Sequence, residues 1–234
     1  MITLQQFQAA FGQPSGSPFC VKAHILLRLA GLPYVTEDIT DPRKTPKGKV
    51  PVIIDDGEVI ADSYYIRRHI EQKYGVDFDQ GLSRAERAAS RAFIALADEH
   101  LYWAGVYSRW VDDAGWPIVR DTFFTNLPGP LKWIIPPIAR GQVRGQLRGH
   151  GIGRHSAAEI YEMGAADLDV LADWLADKPC FMGDGPTAAD ASVYSMVAAI
   201  IEAPFDSPLK RHGLNRTNLV EYCRRMGETF FPLK

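Results

Sequence analysis

Four short stretches of the chain carry residues whose types and spacing could do chemistry. In SPFC, Ser17 places a hydroxyl directly before Pro18, the residue that fits the first position of a helix. The first turn of a helix leaves backbone N–H groups unpaired, so a hydroxyl there can help stabilise a negatively charged atom. Ser15 lies two residues upstream as a second hydroxyl in the same loop. Cys20 stands three residues after Ser17, but the first position of a Cys-x-x-Cys pair is a serine here, which excludes dithiol exchange. In KVPVII, Pro51 cannot donate to a strand ladder and must open the strand or sit at its edge. The Val50-Pro51 bond is a candidate for the cis isomer, with the Val50 N–H and C=O presented outward to an extended, peptide-like ligand. In ADSYY, Ser63 reads as a helix N-cap, and its hydroxyl with the N–H groups of Tyr64 and Tyr65 forms a small anion site. Asp62 offers a carboxylate beside it. The loop DPRKTPKGK supplies Lys44, Lys47 and Lys49 as candidate cations.

These groups need a scaffold, and the surrounding pattern describes one. Ile2 to Ala9 reads as a strand, broken by FGQPSGS. A helix from the Ser17 cap carries Val21, Ile25 and Leu29 in phase and closes at Gly31. Tyr34 to Ile39 is a second strand. Val52 to Ile54 and Glu58 to Ile60 flank the hairpin signal Asp56-Gly57, and a helix over Tyr64 to Lys73 stops at Gly75. The order strand, helix, strand, two strands, helix is that of a thioredoxin-like α/β unit over residues 1–76.

Strand signals then vanish. After a linker at 77–83, Ser83 and Glu86 form a capping box for a long helix reaching about Asp113. A helix from near Ser156 ends before Pro179. Thr187 and Asp190 cap the apolar helix ASVYSMVAAII, and Asn218 to Glu228 makes the last one. Residues 84–234 therefore read as an all-α domain. Trp116 to Pro137, rich in proline and aromatics, is expected to be irregular. Arg140, Arg144 and Arg148 recur every four residues beside Gly141, Gly145 and Gly149, on a solvated face if the segment is helical.

Composition removes several classes of function. A 234-residue chain with 46% apolar residues can build two cores, and a net charge of −2 with mixed signs gives no reason to expect nucleic acid or a membrane as the main partner. Three widely spaced cysteines, Cys20, Cys180 and Cys223, fit reduced, structural thiols in a cytoplasmic setting. No secretory leader is expected at the start, and the most apolar window is too short to span a bilayer. His150 and His155 lack metal-ligand spacing, so no metal is expected.

SPFCVK, PKGKVP with ADS, GHGIGRHS, GDGPTAAD and NLVEYCRRM followed by FFP occur in this order. Together they resemble the glutathione S-transferase superfamily, and within it the metaxin-like branch that includes the failed-axon-connections proteins. The resemblance implies a glutathione transferase fold and a site for glutathione as co-substrate. Val50, beside Pro51, would pair with the cysteinyl backbone of the tripeptide. Ser63 would take the γ-glutamyl carboxylate, Asp62 the ammonium, and Lys49 or a neighbouring lysine the glycine carboxylate. Ser17 would be the catalytic donor to the glutathione sulfur. Lowering a thiol from a pKa of about 8.5 to about 6.5 takes roughly 2.7 kcal/mol. A hydrogen bond to the charged sulfur supplies about 1.5–3 kcal/mol and a helix N-terminus about 0.3–2 kcal/mol, so the sum suffices. Trp103, Tyr107 and Trp110, on one face of the long helix, would line the pocket of a small electrophile or peroxide, unless they form a core stripe. The family further implies a cytoplasmic homodimer of detoxifying type. The competing expectation is a binding or adaptor protein that keeps the fold without turnover.

Overall fold

A computed structural model describes residues 1–232. Strands β1 (Ile2–Gln6), β2 (Tyr34–Asp38), β3 (Val52–Asp55) and β4 (Glu58–Ala61) form one sheet in the order β2-β1-β3-β4. β1 runs parallel to β2, and the other pairings are antiparallel, with Leu4 opposite Ile53 and Ile53 opposite Ile60. The turn at Asp56-Gly57 has positive φ at both residues (52° and 87°), the geometry that matches the twist of a two-residue hairpin. Helices α1 (Pro18–Leu29) and α2 (Ser63–Tyr74) complete the thioredoxin-like unit. Gly75 ends α2 in the left-handed conformation (φ 68°), as its position after the last periodic residue predicts.

The second half of the chain is helical throughout. The Ser83–Glu86 capping box opens α3 (Arg84–Ala95), and the helical path continues through a wide turn at Leu96–Leu101, α4 (Tyr102–Val106) and a second wide turn at Tyr107–Val111. The wide turns bond i to i+5 and so shift the faces of the helix relative to an unbroken α pattern. Trp116 to Pro137 is not irregular. It holds α5 (Trp116–Phe123), with Pro117 in its first turn, and the start of α6 (Leu131–His150). Pro136 and Pro137 each withhold an N–H from α6, close to an end whose Trp133, Ile134 and Ile138 are exposed. The arginine repeat is thus helical. Arg140 is the anchored member: it donates to the Trp110 and Val111 carbonyls (3.0 and 2.8 Å) and pairs with Asp113 at 2.6 Å. Gly141, Gly145 and Gly149 face open space, so no neighbouring backbone uses them.

Helices α7 (Ala157–Leu175), α8 (Ala188–Ile201), α9 (Pro208–Leu214) and α10 (Thr217–Phe230) finish the described chain. Every residue of α8 is buried, which is why its sequence is apolar all round. Asp190 organises its start. Its carboxylate, fully buried, accepts from Thr187 N–H and hydroxyl, Phe181 N–H and the Tyr222 hydroxyl. Helix α1 lies along α8, so the Ser17 end of the α/β unit is seated on the helical core. The buried Lys22–Asp98 pair (2.5 Å) ties α1 to the first wide turn.

Candidate functional site

Ser17 sits at the N-cap of α1 with extended backbone, half-buried, and Pro18 follows at the first helical position. Its carbonyl accepts the N–H groups of Cys20 and Val21 (3.0 and 3.1 Å), but its hydroxyl makes no capping bond. That hydroxyl stands in reach of the Cys20 sulfur, as does the Ser15 hydroxyl. Ser15 is tied down by donating to the Phe7 carbonyl at 2.8 Å. Burial pushes the Cys20 thiol up to about 11 against the hydrogen bonds that favour its anion, so it stays protonated and structural. Cys180 and Cys223 are buried free thiols, raised by burial in the same way.

The Val50-Pro51 bond is cis. The Pro51 carbonyl accepts from Asp62 N–H at 3.1 Å, and the ladder to β4 begins at Val52 opposite Ala61. The Val50 N–H and C=O find no partner among the described residues. The start of α2 differs in one respect from expectation. Asp62, rather than Ser63, is the N-cap of α2, and its carboxylate accepts from Tyr64 N–H at 2.9 Å. Both residue types cap well, and the hairpin's length decides which one does. Asp62 holds φ at +90°, a region costly for a side chain other than glycine's. Ser63 becomes the first helical residue, 6% exposed, and its hydroxyl has no hydrogen-bond partner among the described residues.

The lysine loop has an internal brace, Thr45, whose hydroxyl bridges the Pro42 and Lys49 carbonyls at 2.8 Å each. Lys47 is the lysine drawn to the mouth of α2, with its ammonium 4.1 Å from the centre of the Tyr65 ring. The Lys49 side chain is exposed. The aromatic residues of the long helix are committed elsewhere. Trp103 stacks on His150 (4.8 Å), Tyr107 meets Tyr161 edge-on (5.6 Å), and Trp110 packs near Trp116 (6.0 Å). Trp103 and Tyr107 are partly buried and pack against the helical core, and Trp110 also borders a small cluster built on Val119, Ala203 and Phe205.

Two other residues of that helix face the loop that carries Ser17. Tyr102 packs on Phe19 at 4.8 Å, and Arg109 lies over the rings of Phe11 and Phe205 (5.7 and 5.3 Å). Sequence reasoning passed over both. A signal existed: Arg109 is the one charged residue between Leu101 and Val111. Two surface grooves lie away from Ser17, one of about 630 Å³ along Arg28 and β2 and one of about 590 Å³ beside Gly75 and Pro186. Among the described residues no cluster of His, Cys, Asp and Glu could hold a metal, and no helix is long and apolar enough to cross a membrane.

A thioredoxin-like sheet with an open edge at a cis proline, joined to a helical domain with a capped buried helix, defines the glutathione transferase fold. The chain belongs to the glutathione S-transferase superfamily: residues 18–115 match the family described as the glutathione S-transferase N-terminal domain, and 164–226 the C-terminal domain. It is 34% identical over 240 residues to an isoprene-epoxide–glutathione S-transferase of Rhodococcus sp. (strain AD45), covering 98% of this chain and 99% of that protein. It is also 34% identical to Failed axon connections of Drosophila melanogaster, covering 99% of this chain and 58% of that longer protein. Metaxin-1 of Sus scrofa is 28% identical over 97% of this chain and 74% of its own length, which places the chain with the metaxin-like branch. Among solved structures, a glutathione transferase from Phanerochaete chrysosporium shares the fold with a TM-score of 0.66 at 19% identity, covering 100% of this chain and 98% of that one.

Proposed function

We propose that the protein binds glutathione on the α/β unit and conjugates its thiolate to a small electrophile in the cleft between the two halves. The observation that carries this reading is the set of uncommitted groups at one end of the sheet. The Val50 N–H and C=O are unpaired, the Ser63 hydroxyl is free at the first turn of α2, and the Ser17 hydroxyl leaves its helix uncapped. An extended tripeptide would pair with Val50 as an added strand, and its γ-glutamyl carboxylate would meet Ser63 and the α2 N-terminus. Asp62 keeps a carboxylate oxygen for the ammonium, while Lys47 and Lys49 stand on the loop nearest the glycine end. Ser17 would then turn from the Cys20 sulfur to the glutathione sulfur, a change of one staggered rotamer. The relative that acts on an isoprene epoxide supports an epoxide as the electrophile.

Glutathione-loaded protein should show thiolate ultraviolet absorbance at pH 7, and the protein should be retained on immobilised glutathione. Ser17→Ala should keep retention and lose the absorbance, because a charged-sulfur hydrogen bond is worth about 1.5–3 kcal/mol, one to two units of thiol pKa. Unchanged absorbance in that variant refutes the role of Ser17. The likeness to Failed axon connections and metaxin-1 favours a second reading, a non-catalytic binding protein. Retention by the native protein without thiolate absorbance or turnover would establish that reading instead.

A further inference from the structure

Helix α6 and the segments on either side of it differ in charge from the rest of the chain. No Asp or Glu occurs between Asp121 and Glu159, while Lys132, Arg140, Arg144, Arg148 and Arg154 stand in that interval, inside a chain whose net charge is −2. The near-neutral total conceals a local excess of positive charge. Large apolar side chains are exposed on the same helix: Trp133 at 75%, and Leu131, Ile134 and Ile138 at 41%, 51% and 54%. At the α-helical pitch Leu131, Ile134, Ile138, Gly141 and Gly145 share the outward face, opposite the buried Pro136 and Leu147. Arg140 turns inward, to the Trp110 and Val111 carbonyls and Asp113. Arg144 and Arg148 are exposed on the flank of the outward face and make no ion pair among the described residues. The Lys132 ammonium lies 5.7 Å from the centre of the Trp133 ring. An apolar patch and unspent cations thus occupy one side of one helix, a combination that scattered surface residues do not produce.

We infer that this face of α6 rests on an anionic lipid surface, with Leu131, Ile134 and Ile138 below the headgroups, Trp133 at their level, and Lys132, Arg144 and Arg148 against their negative charges. A helix with an apolar, tryptophan-bearing outer face and cationic flanks is suited to lie in the plane of a bilayer. It cannot cross one, because the apolar stretch from Trp133 to Ala139 is far shorter than the roughly 20 residues that spanning needs. Pro136 and Pro137 set the depth. Neither gives an N–H to the helix, so the Lys132 and Trp133 carbonyls four residues earlier keep acceptor capacity for water or headgroups, which the interface supplies and the hydrocarbon does not. The charge selects the occupant. A second copy of this chain would set the same unpaired cations against one another across a two-fold axis. A nucleic acid would engage the arginines and leave Leu131, Ile134 and Ile138 in water. An anionic headgroup layer takes both sets, and each cation near it strengthens partitioning roughly fivefold, at about 1 kcal/mol apiece. The inference is independent of the glutathione reading, since α6 carries none of the groups assigned to the tripeptide.

The full chain is floated with vesicles of phosphatidylcholine alone and of phosphatidylcholine containing about one-third phosphatidylserine, at low and at high salt. It should float with the anionic vesicles only and be released as salt screens the surface potential. Tryptophan emission should move to shorter wavelength on binding, and Trp133→Phe should still bind while losing most of that shift. Arg144→Gln with Arg148→Gln should weaken partitioning by about 25-fold. Ile134→Ser with Ile138→Ser should weaken it by at least about tenfold, from the apolar area no longer removed from water. All four side chains are exposed, so melting temperatures should stay near the native value, and each pair decides the matter should the other not fold. No flotation with anionic vesicles overturns the inference, as does flotation that neither pair weakens. Flotation lost with the arginine pair and untouched by the isoleucine pair also overturns it, because charge alone would then be at work. Self-association abolished by the isoleucine pair, without flotation, would assign the face to a second copy, and binding of a duplex oligonucleotide in place of vesicles would assign it to nucleic acid.

Discussion

Replacing Asp190 with asparagine tests how the seat of the site is held. The carboxylate is fully buried and accepts four hydrogen bonds: Phe181 N–H (2.7 Å) and the Tyr222 hydroxyl (3.0 Å) on one oxygen, Thr187 N–H (2.8 Å) and hydroxyl (2.9 Å) on the other. An asparagine of the same shape must turn its NH₂ toward one of the two oxygens' partners. Either way it faces a backbone N–H, which cannot become an acceptor. That orphaned donor costs about 1–3 kcal/mol, and the remaining bonds lose their charge assistance. Burial pushes the Asp190 carboxyl above its ordinary value against its four donors, so removing the charge returns part of the loss. The net destabilisation should be about 2–4 kcal/mol, which for a chain of this size lowers the melting temperature by about 4–16 °C. Tyr222→Phe, losing one hydroxyl bond, should cost only about 0.5–1.5 kcal/mol. Calorimetric melts at pH 7 read both values. An Asp190→Asn protein melting together with the native one would show that the four contacts do not hold α8 as argued.

Two further perturbations follow from buried charge. Lys22→Met should destabilise by about 3–5 kcal/mol in urea unfolding, because it strands the Asp98 carboxylate, whose second oxygen is already buried without a partner. Lys22→Met with Asp98→Leu should recover most of that loss, and equal losses in the single and double variants would refute the argument. His24 is buried between the Tyr34 hydroxyl (2.8 Å) and the Gln6 side-chain amide oxygen Oε1 (2.6 Å), which suits a neutral ring that accepts at Nδ1 and donates at Nε2. Burial, aided by the nearby Arg28, lowers its pKa to about 4 from 6.5. The unfolded chain therefore binds the proton more readily across that window. The contribution of His24 is fully present above about 6.5 and lost as pH falls toward 4, about 3 kcal/mol at most at 1.36 per unit. His24→Gln should flatten the stability profile between these values, and an unaltered slope in denaturation curves would refute the assignment.

Much of the fold can be read from local chemistry. The Asp56-Gly57 turn, the capping signals at Ser83 and Thr187 and the glycine stop at Gly75 are each decided within a few residues, and each lies where its pattern predicts. Elements decided by tertiary contact were harder to read. Trp116 to Pro137 looks irregular because proline disfavours helix interiors, but Pro117 falls in a first turn and the Pro136-Pro137 pair lies near the exposed end of α6. At the site, the residues around Val50 and Ser63 could be named because hairpin and helix start are adjacent in sequence. The cap moved from Ser63 to Asp62 because both types serve, and only the backbone path chooses. The tertiary partners of the long helix could not be read in this way. A stripe at α-helical spacing picks out Trp103, Tyr107 and Trp110, whereas the residues that meet Phe19 and Phe11 are Tyr102 and Arg109, which carry no apolar stripe of their own.

Those two slack windings make the long rod adjustable. Each stores roughly one residue beyond the ordinary pitch, so losing or gaining a single codon there would re-aim every side chain downstream by about a quarter-turn without breaking the rod. Relatives that keep the same sheet edge could thereby present quite different walls to whatever enters the cleft. Selection for a new substrate has a short route in such a molecule, through the length of one helix rather than the redesign of a pocket.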